Sequence, residues 1–492
     1  MSLRQFTIGS ASMASVSILR MLTQLFIIPA LARFLTATDY GIVAIAMPFV
    51  LFGMMFADAG ISGSLIRTSS RNVAEWSTSF WLTIMLGSGL SLALVGVGYL
   101  ISLFLNEPPL FPIIAALSSI VFFQAIATVP GASLQQHNKF TIIAGVEITS
   151  MFLSLAGTYV AATHGWGAWS LVVQQIIQFA TRFILTLIFS PFRPHAVFQI
   201  SAIRDHLLFG RNMLGNSFVT FMRQSLTNTI IGKQLGTAPV GIFTMGALFS
   251  DLPNRVVSGP IQQVIYPRMA QMRDDPAAIR LLFLFLTRLI AILIFPAVGM
   301  LAVAHKPVFT LLLSEKWQQS GLIFMILAPA AAVQTVIAMK GTIAMALGRT
   351  DIMMRQSWEL SILALVLLFC AVSFGIEAVA VAATLAAVLY APRALLQITR
   401  LINLPVRDFI GVITVPAITT IAGITLYAII TAILPLTNWE AFAVAFFIGL
   451  TALMAAFFVQ FWSIRQEMEI VKYSLEHGTP PPAPSPAQMA EA

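Results

Sequence analysis

Ala32-Arg33-Phe34-Leu35 followed by Gly41-Ile42 is answered 200 residues later by Gly232-Lys233-Gln234-Leu235 followed by Gly241-Ile242. The two segments share small, basic, leucine and glycine positions at the same spacing. Each follows a long apolar stretch and opens another. Working outward from each, the chain reads as a block of six apolar stretches that restarts with the same turn. An even number of crossings gives both blocks the same orientation, related by an axis along the membrane normal, as in many transporters.

The solvent of these blocks follows from composition. Of the 492 residues, 58% are hydrophobic and 9% are charged, against about 25% charged in a soluble domain. Spans of about 20 mostly apolar residues number about fourteen. In order they are 10–32, 40–57, 76–104, 112–133, 140–162, 168–189, 207–231, 240–264, 281–304, 321–347, 358–375, 378–398, 409–434 and 441–461. The expected fold is therefore an all-α integral membrane protein: two six-helix lobes related by a pseudo-two-fold axis, plus two C-terminal helices. The lobes occupy 1–190 and 207–400, joined by a cytoplasmic linker over 191–206; the additional helices lie in 401–462. A cytoplasmic tail over 463–492 starts amphipathic and ends Pro/Ala-rich, a composition that favours disorder. The first span is too long for the apolar region of a cleaved signal peptide and reads as a membrane helix.

The net charge of +8 is mostly topology. With both termini cytoplasmic, seventeen Lys and Arg fall in inside segments, Arg182 and Arg193 among them. Only Arg33, Lys233, Lys306 and Lys316 fall outside. That bias satisfies the positive-inside rule, so the basic excess implies no nucleic acid partner. Trp76, Trp81, Trp166, Trp169, Trp317, Trp358 and Trp439 cluster near span ends, as an interfacial belt requires.

The cations within spans carry the functional question. Arg20 and Arg223 lie deep in the first and seventh spans, the first span of each block. A guanidinium stays charged, and at membrane depth it costs about 2.5–3.5 kcal/mol on insertion scales. A wet cavity or an anion relieves that cost. Two guanidiniums facing one another would hold a diphosphate through bidentate hydrogen bonds. Gln24 lies four residues after Arg20, and Asn216 and Gln224 flank Arg223, so these amides can line the same surface. Arg255, Arg288 and Lys340 sit closer to the cytoplasmic boundary, where a long side chain either snorkels to the interface or extends the basic cavity. Asp58, Glu147, Asp251 and Glu359 are acids in or beside spans. Each is either a counter-ion or a site for a coupling ion or proton. Asp251 precedes Arg255 by four residues, which places the two on one helix face as a pair.

Some chemistry is excluded. There is no G-x-x-x-x-G-K-[ST] loop, so ATP hydrolysis by that route is ruled out. Cysteine and histidine lack metal-site spacing, and Cys370 is the single cysteine. No catalytic residue, metal or cofactor is expected; the energy source would be a membrane potential or an ion gradient. No extramembrane segment before the tail is long enough for a soluble catalytic domain.

Several short stretches resemble one family. Tyr40-Gly41 is similar to an Asp-Tyr-Gly turn of polysaccharide flippases in the multidrug/oligosaccharidyl-lipid/polysaccharide superfamily. Thr128-Val129-Pro130 through Lys139-Phe140, and Gly165-Trp166-Gly167 through Val172, resemble further segments of it. So do Gly241-Ile242-Phe243 through Pro253, Ser258-Gly259-Pro260, Tyr266-Pro267, Glu315-Lys316-Trp317 and Ala346-Leu347-Gly348-Arg349. The similarity runs in order from about residue 10 to 400 and points to the lipopolysaccharide/exopolysaccharide-exporter branch.

The resemblance implies a flippase that moves undecaprenyl-diphosphate-linked oligosaccharides from the cytoplasmic to the periplasmic leaflet of a bacterial inner membrane. It implies lobes that rock about a cationic cavity, contacts with membrane lipids, and polymerase and chain-length or export proteins as pathway partners. Two rivals stand beside it. An ion-coupled small-molecule exporter of the same fold would handle cationic cargo with acids, whereas the deep residues here are arginines. A membrane-embedded polysaccharide polymerase would need a longer outside loop than this chain has.

Overall fold

The computed structural model describes residues 19, 27–58, 60–67, 72–199, 204–273 and 275–477. Eleven helices among them are long and apolar enough to cross a membrane, against the fourteen expected. The three differences have separate causes. Most of the first expected span lies outside the described residues. The seventh forms α7, Arg204–Leu235, which is long enough but interrupted by Arg211, Asn212, Asn216, Arg223, Gln224 and Asn228. The eighth is broken into α8 (Thr237–Pro253), a π-helical turn over Asn254–Ser258, and α9 (Gly259–Gln271). Pro253 at the break removes a backbone donor, and the π turn absorbs the change in register.

By contacts the chain forms two compact units, Met1–Met245 and Gly246–Ala492. The first contains α1 (Ala37–Asp58), α2 (Ile61–Arg67), α3 (Val73–Leu105), α4 (Leu110–Gln136), α5 (Phe140–Thr163) and α6 (Ala168–Phe189), together with α7. The first unit includes α7, which packs on α1 and α2. Its aromatic ring Phe221 stacks on Phe52 with centroids 4.0 Å apart, and Asn228 Nδ2 donates to the Ala44 carbonyl at 2.7 Å.

The centre of this unit is α4, which contacts α3, α1, α6 and α2. Leu110, Ile113, Ile114, Leu117, Ile120 and Val121 on α4 are almost wholly enclosed. Glycines let the neighbours approach. A side chain at Gly87 would collide with Ala125, and one at Gly98 with Ile114. Small residues at such crossings are how membrane helices gain close packing where the hydrophobic effect between them is weak.

The segment after α6 is strapped to the bundle. The Trp81 indole donates to the His195 carbonyl at 2.9 Å, and the Gln199 amide donates to Thr78 Oγ1 at 2.9 Å. Arg193 Nη1 donates to the Ser190 carbonyl at 2.8 Å, meeting a carbonyl at the C-terminus of α6.

The second unit contains α10 (Pro276–Val303), α11 (His305–Leu312), α12 (Gln318–Val336), α13 (Met339–Ala346), α14 (Thr350–Ala371), α15 (Ile376–Leu401), α16 (Val406–Ile433) and α17 (Asn438–His477). Here α10 is central and contacts α12, α16 and α17. Phe283 on α10 stacks on Phe409 of α16 with rings 13° from parallel. The final helix continues through residue 477, so the first fifteen residues of the expected tail are helical.

Candidate functional site

Arg20 and Gln24 lie outside the described residues, and Asn216 outside those with described side chains. Arg223 and Gln224 are both exposed on α7, just over one turn before Asn228 anchors that helix to α1. As consecutive helical residues, the guanidinium and the amide project about 100° apart around α7.

The remaining sequence-derived cations differ in their surroundings. Arg255, on the π turn, pairs with Asp251 as its spacing predicts, and both side chains are exposed, at 59% and 44%. Arg288 instead makes a fork to Glu467 of α17, through Nε at 3.0 Å and Nη2 at 2.7 Å. Both partners are mostly enclosed, at 12% and 19% exposure. In this conformation the Arg288 fork is filled by a carboxylate, so its first role is to fasten α17 to α10. Glu467 is absent from the sequence candidates, because a partner 179 residues away leaves no local signal.

Lys340 follows the break between α12 and α13. It is half-buried and meets no carboxylate among the described residues. Facing elements stabilise that break: Ser258 Oγ donates to the Thr335 carbonyl at 3.1 Å, bridging the π turn to α12. Thr342 Oγ1 lies 3.4 Å from Gln262 Oε1, linking α13 to α9. Discontinuous helices expose backbone groups at membrane depth and tend to lie near polar sites in transporters.

The acids divide similarly. Glu359 on α14 accepts from Arg393 Nε and Nη2 at 2.8 and 2.6 Å, from Arg355 Nε at 2.9 Å and from the Tyr390 hydroxyl at 2.9 Å. It joins α14 to α15 as a counter-ion. Glu147 on α5 is nearly buried and lies 3.0 Å from Arg182 on α6. The positive-inside tally places Arg182 in a cytoplasmic segment, yet it stands seven residues before the end of α6, inside the helix. Asp58 ends α1 and accepts from the Ser62 amide at 3.3 Å, next to the start of α2.

Asp58, Glu147 and Arg182 come together. With Gln124, Thr128, Gln135 and apolar neighbours they line a cavity of about 370 Å³ within the first unit. The oxygen Gln124 Oε1 is buried and meets no donor among the described residues.

The family-like motifs prove to be structural. Thr36 and Asp39 cap α1 reciprocally: Asp39 Oδ2 accepts from the Thr36 amide at 2.8 Å, and Thr36 Oγ1 accepts from the Asp39 amide at 3.3 Å. The Asp39 carboxylate also lies against Gly167, whose positive φ of 54° suits glycine. Trp317 is 1% exposed, and Gly348, at φ 70°, closes α13. These residues form turns and anchors, so their recurrence marks the fold more than the cargo.

A family model described as "Polysaccharide biosynthesis protein" matches residues 30–322. The chain belongs to that family. It is 25% identical over 364 residues to the lipopolysaccharide biosynthesis protein WzxC of Escherichia coli (strain K12), covering 72% of each chain. It is 23% identical over 290 residues to the succinoglycan biosynthesis transport protein ExoT of Rhizobium meliloti (strain 1021), covering 59% of each. Among solved structures, the lipid II flippase MurJ in an inward closed conformation superposes with a TM-score of 0.73 at 13% identity, over 93% of this chain and 99% of that one. An inward-facing multidrug resistance MATE family transporter gives 0.56 at 13% identity, over 79% and 98%. This member of the polysaccharide biosynthesis family is thus a multi-pass membrane transporter of polysaccharide biosynthesis and export, with the fold shared by MurJ and MATE proteins.

Proposed function

We propose that the protein flips undecaprenyl-diphosphate-linked oligosaccharide repeat units from the cytoplasmic to the periplasmic leaflet of a bacterial inner membrane, supplying lipopolysaccharide O-antigen or exopolysaccharide synthesis. The observation that supports the reading is Arg223 followed by Gln224, both exposed on α7 of a chain that belongs to the polysaccharide biosynthesis family. A guanidinium recognises phosphate oxygens in a bidentate manner, and amides suit sugar hydroxyls. In this reading Arg20 supplies the matching guanidinium from the first helix, with Gln24 and Asn216 adding polar contacts. Lys340 and the exposed Arg255 extend the basic path, and Arg288 joins it only if Glu467 lets go.

The proposed mechanism is alternating access by two six-helix lobes of a fourteen-helix chain, both termini cytoplasmic. A membrane potential or ion gradient drives it without a cofactor. Inner-membrane lipids are its surroundings, and a polymerase and chain-length or export proteins would act on its product. No chemistry is performed on the cargo.

The test is polymer export in cells whose own copy is deleted. Arg20→Ala and Arg223→Ala should each abolish export at undiminished membrane abundance. Lysine at either place should keep part of it, because charge survives while the fork is lost. Normal export by both alanine variants would remove the diphosphate role.

A further inference from the structure

Where α14 and α15 meet near Glu359, they carry more guanidinium donors than that carboxylate can accept. Glu359 takes one hydrogen bond from Arg355, two from Arg393 and one from the Tyr390 hydroxyl. These fill the roughly four lone-pair sites of a carboxylate. A guanidinium has five N–H donors. Arg355 gives one of them and Arg393 two, so four and three remain without an acceptor among the described residues. Both arginines are exposed. Two guanidiniums against one carboxylate also leave one positive charge uncancelled. Asp351, one turn earlier on α14, does not cancel it, because Arg349 holds both of its oxygens. Arg400 lies seven residues beyond Arg393 on the same side of α15 and adds a further exposed charge.

The depth of this cluster follows from helix length. Gly375 forms the turn between the two helices, with Arg355 twenty residues before it and Arg393 eighteen after it. At 1.5 Å per residue these separations are about 27–30 Å, one hydrocarbon thickness. The guanidiniums therefore stand at the headgroup level of the opposite leaflet, where lipid phosphates lie. Arg355 shares one face of α14 with Trp358, Ile362, Val366 and Phe369, all exposed and within about 80° of arc. On α15, Leu385 and Leu389 are exposed within about 80° of Arg393. Each arginine thus ends an apolar stripe of the kind that faces lipid chains. Behind the cluster, Gln356 Nε2 donates to Gln397 Oε1 at 2.6 Å and fixes the spacing of the two helices.

We propose that Arg355 and Arg393 bind the phosphodiester of one anionic phospholipid of the phosphatidylglycerol class, with its acyl chains along the exposed faces of α14 and α15. Phosphate oxygens accept guanidinium N–H groups in forks, which is what the unfilled donors offer. The uncancelled charge selects a headgroup with no cation of its own, since an ethanolamine ammonium would bring positive charge back to the cluster. The expected topology puts this end of the helices in the cytoplasmic leaflet. Lipid binding there is independent of what the protein transports.

The test uses the full-length protein, purified in detergent and stripped of lipid. It is titrated with phosphatidylglycerol or phosphatidylethanolamine of matched chains and read by native mass spectrometry. A single phosphatidylglycerol should bind about tenfold more tightly than phosphatidylethanolamine, the scale of one charge-assisted hydrogen bond. Arg355→Gln keeps the Arg393–Glu359 fork and should abolish that preference. Glu359→Gln frees both guanidiniums and should raise it, a sign that loss of fold does not mimic. If Glu359→Gln does not fold, Arg355→Gln decides alone. Arg465→Gln is the control: it removes an exposed arginine of α17 that pairs with Glu469 at 3.7 Å, and it should leave the preference unchanged. No preference in the wild type overturns the proposal. So does an equal loss in Arg355→Gln and Arg465→Gln, which is general attraction to a basic surface. Displacement of phosphatidylglycerol by undecaprenyl diphosphate at equal or lower concentration also overturns it, and would make the cluster a point of cargo entry.

Discussion

Gly41 and Gly241 hold the same place in two crossing helices. A side-chain carbon added at Gly41 would lie 1.8 Å from the Thr237 carbonyl oxygen, and one added at Gly241 would lie 1.8 Å from the Ala37 carbonyl oxygen. The amide nitrogens would lie at 3.0 Å and 2.9 Å in the same reciprocal sense. The first turns of α1 and α8 therefore meet backbone to backbone about a local two-fold relation, at the glycines of the sequence echo. Alanine at either position must push two backbones apart. Gly41→Ala and Gly241→Ala are expected to lower stability by similar amounts, about 1–3 kcal/mol each, read by thermal unfolding in detergent. A large loss for one and none for the other would show that the reciprocity has no energetic weight.

Arg288 and Glu467 should behave as a buried pair. Removing one partner leaves the other charge enclosed, so Arg288→Ala or Glu467→Ala is expected to cost about 3–5 kcal/mol. Joint replacement by methionine should restore most of that. Limited proteolysis after residue 463 provides a local readout, since the end of α17 loses its tie to α10 in the single variants.

Asp251 and Arg255 provide the opposite case. Both are substantially exposed, and exposed pairs of this spacing contribute about 0.3–0.5 kcal/mol. Asp251→Ala should therefore leave thermal stability nearly unchanged. A loss as large as that for the Arg288 pair would mean that solvent does not screen this position.

Lys340 is a half-buried cation with no carboxylate partner among the described residues. Desolvation without pairing is unfavourable. Lys340→Met should raise thermal stability while lowering polymer export, the trade expected of a charge kept for function. Lower stability in Lys340→Met would instead assign the lysine a structural role.

His305 supplies a pH dependence. Burial, reinforced by the charge of Lys306, holds its pKa below the ordinary 6.5 against the opposing pull of the Ala302 carbonyl. The folded state prefers the neutral ring, whose Nδ1 sits 3.0 Å from that carbonyl. The unfolded chain therefore binds the proton first, and stability falls as pH drops through about 6.5 toward the lower folded value. Thermal unfolding between pH 8 and pH 5 should show this decline, and His305→Gln should flatten it.

Much of the helical layout was legible because membrane helices advertise themselves by length and composition. The spans expected at 140–162 and 168–189 match α5 and α6 closely. Broken helices are harder. Pro253 marks the end of α8, but a π turn over Asn254–Ser258 has no composition of its own. The Asp251–Arg255 pair is readable because four residues in a helix make neighbours. The Arg182–Glu147 pair, 35 residues apart on two helices, is not, because no local spacing joins them.

The sequence by itself determined that this chain lives in lipid, that its turns repeat, and that arginines stand where lipid should exclude them. Each is a property of local composition or periodicity. Only the tertiary structure decided which charges meet: Arg288 with Glu467, and Glu147 with Arg182. It likewise decided that Gly41 packs against Gly241. Those outcomes depend on helix packing, which brings together residues from 35 to 200 positions apart. An enclosed charge depends on the partner that folding brings to it, and no window of sequence contains that partner.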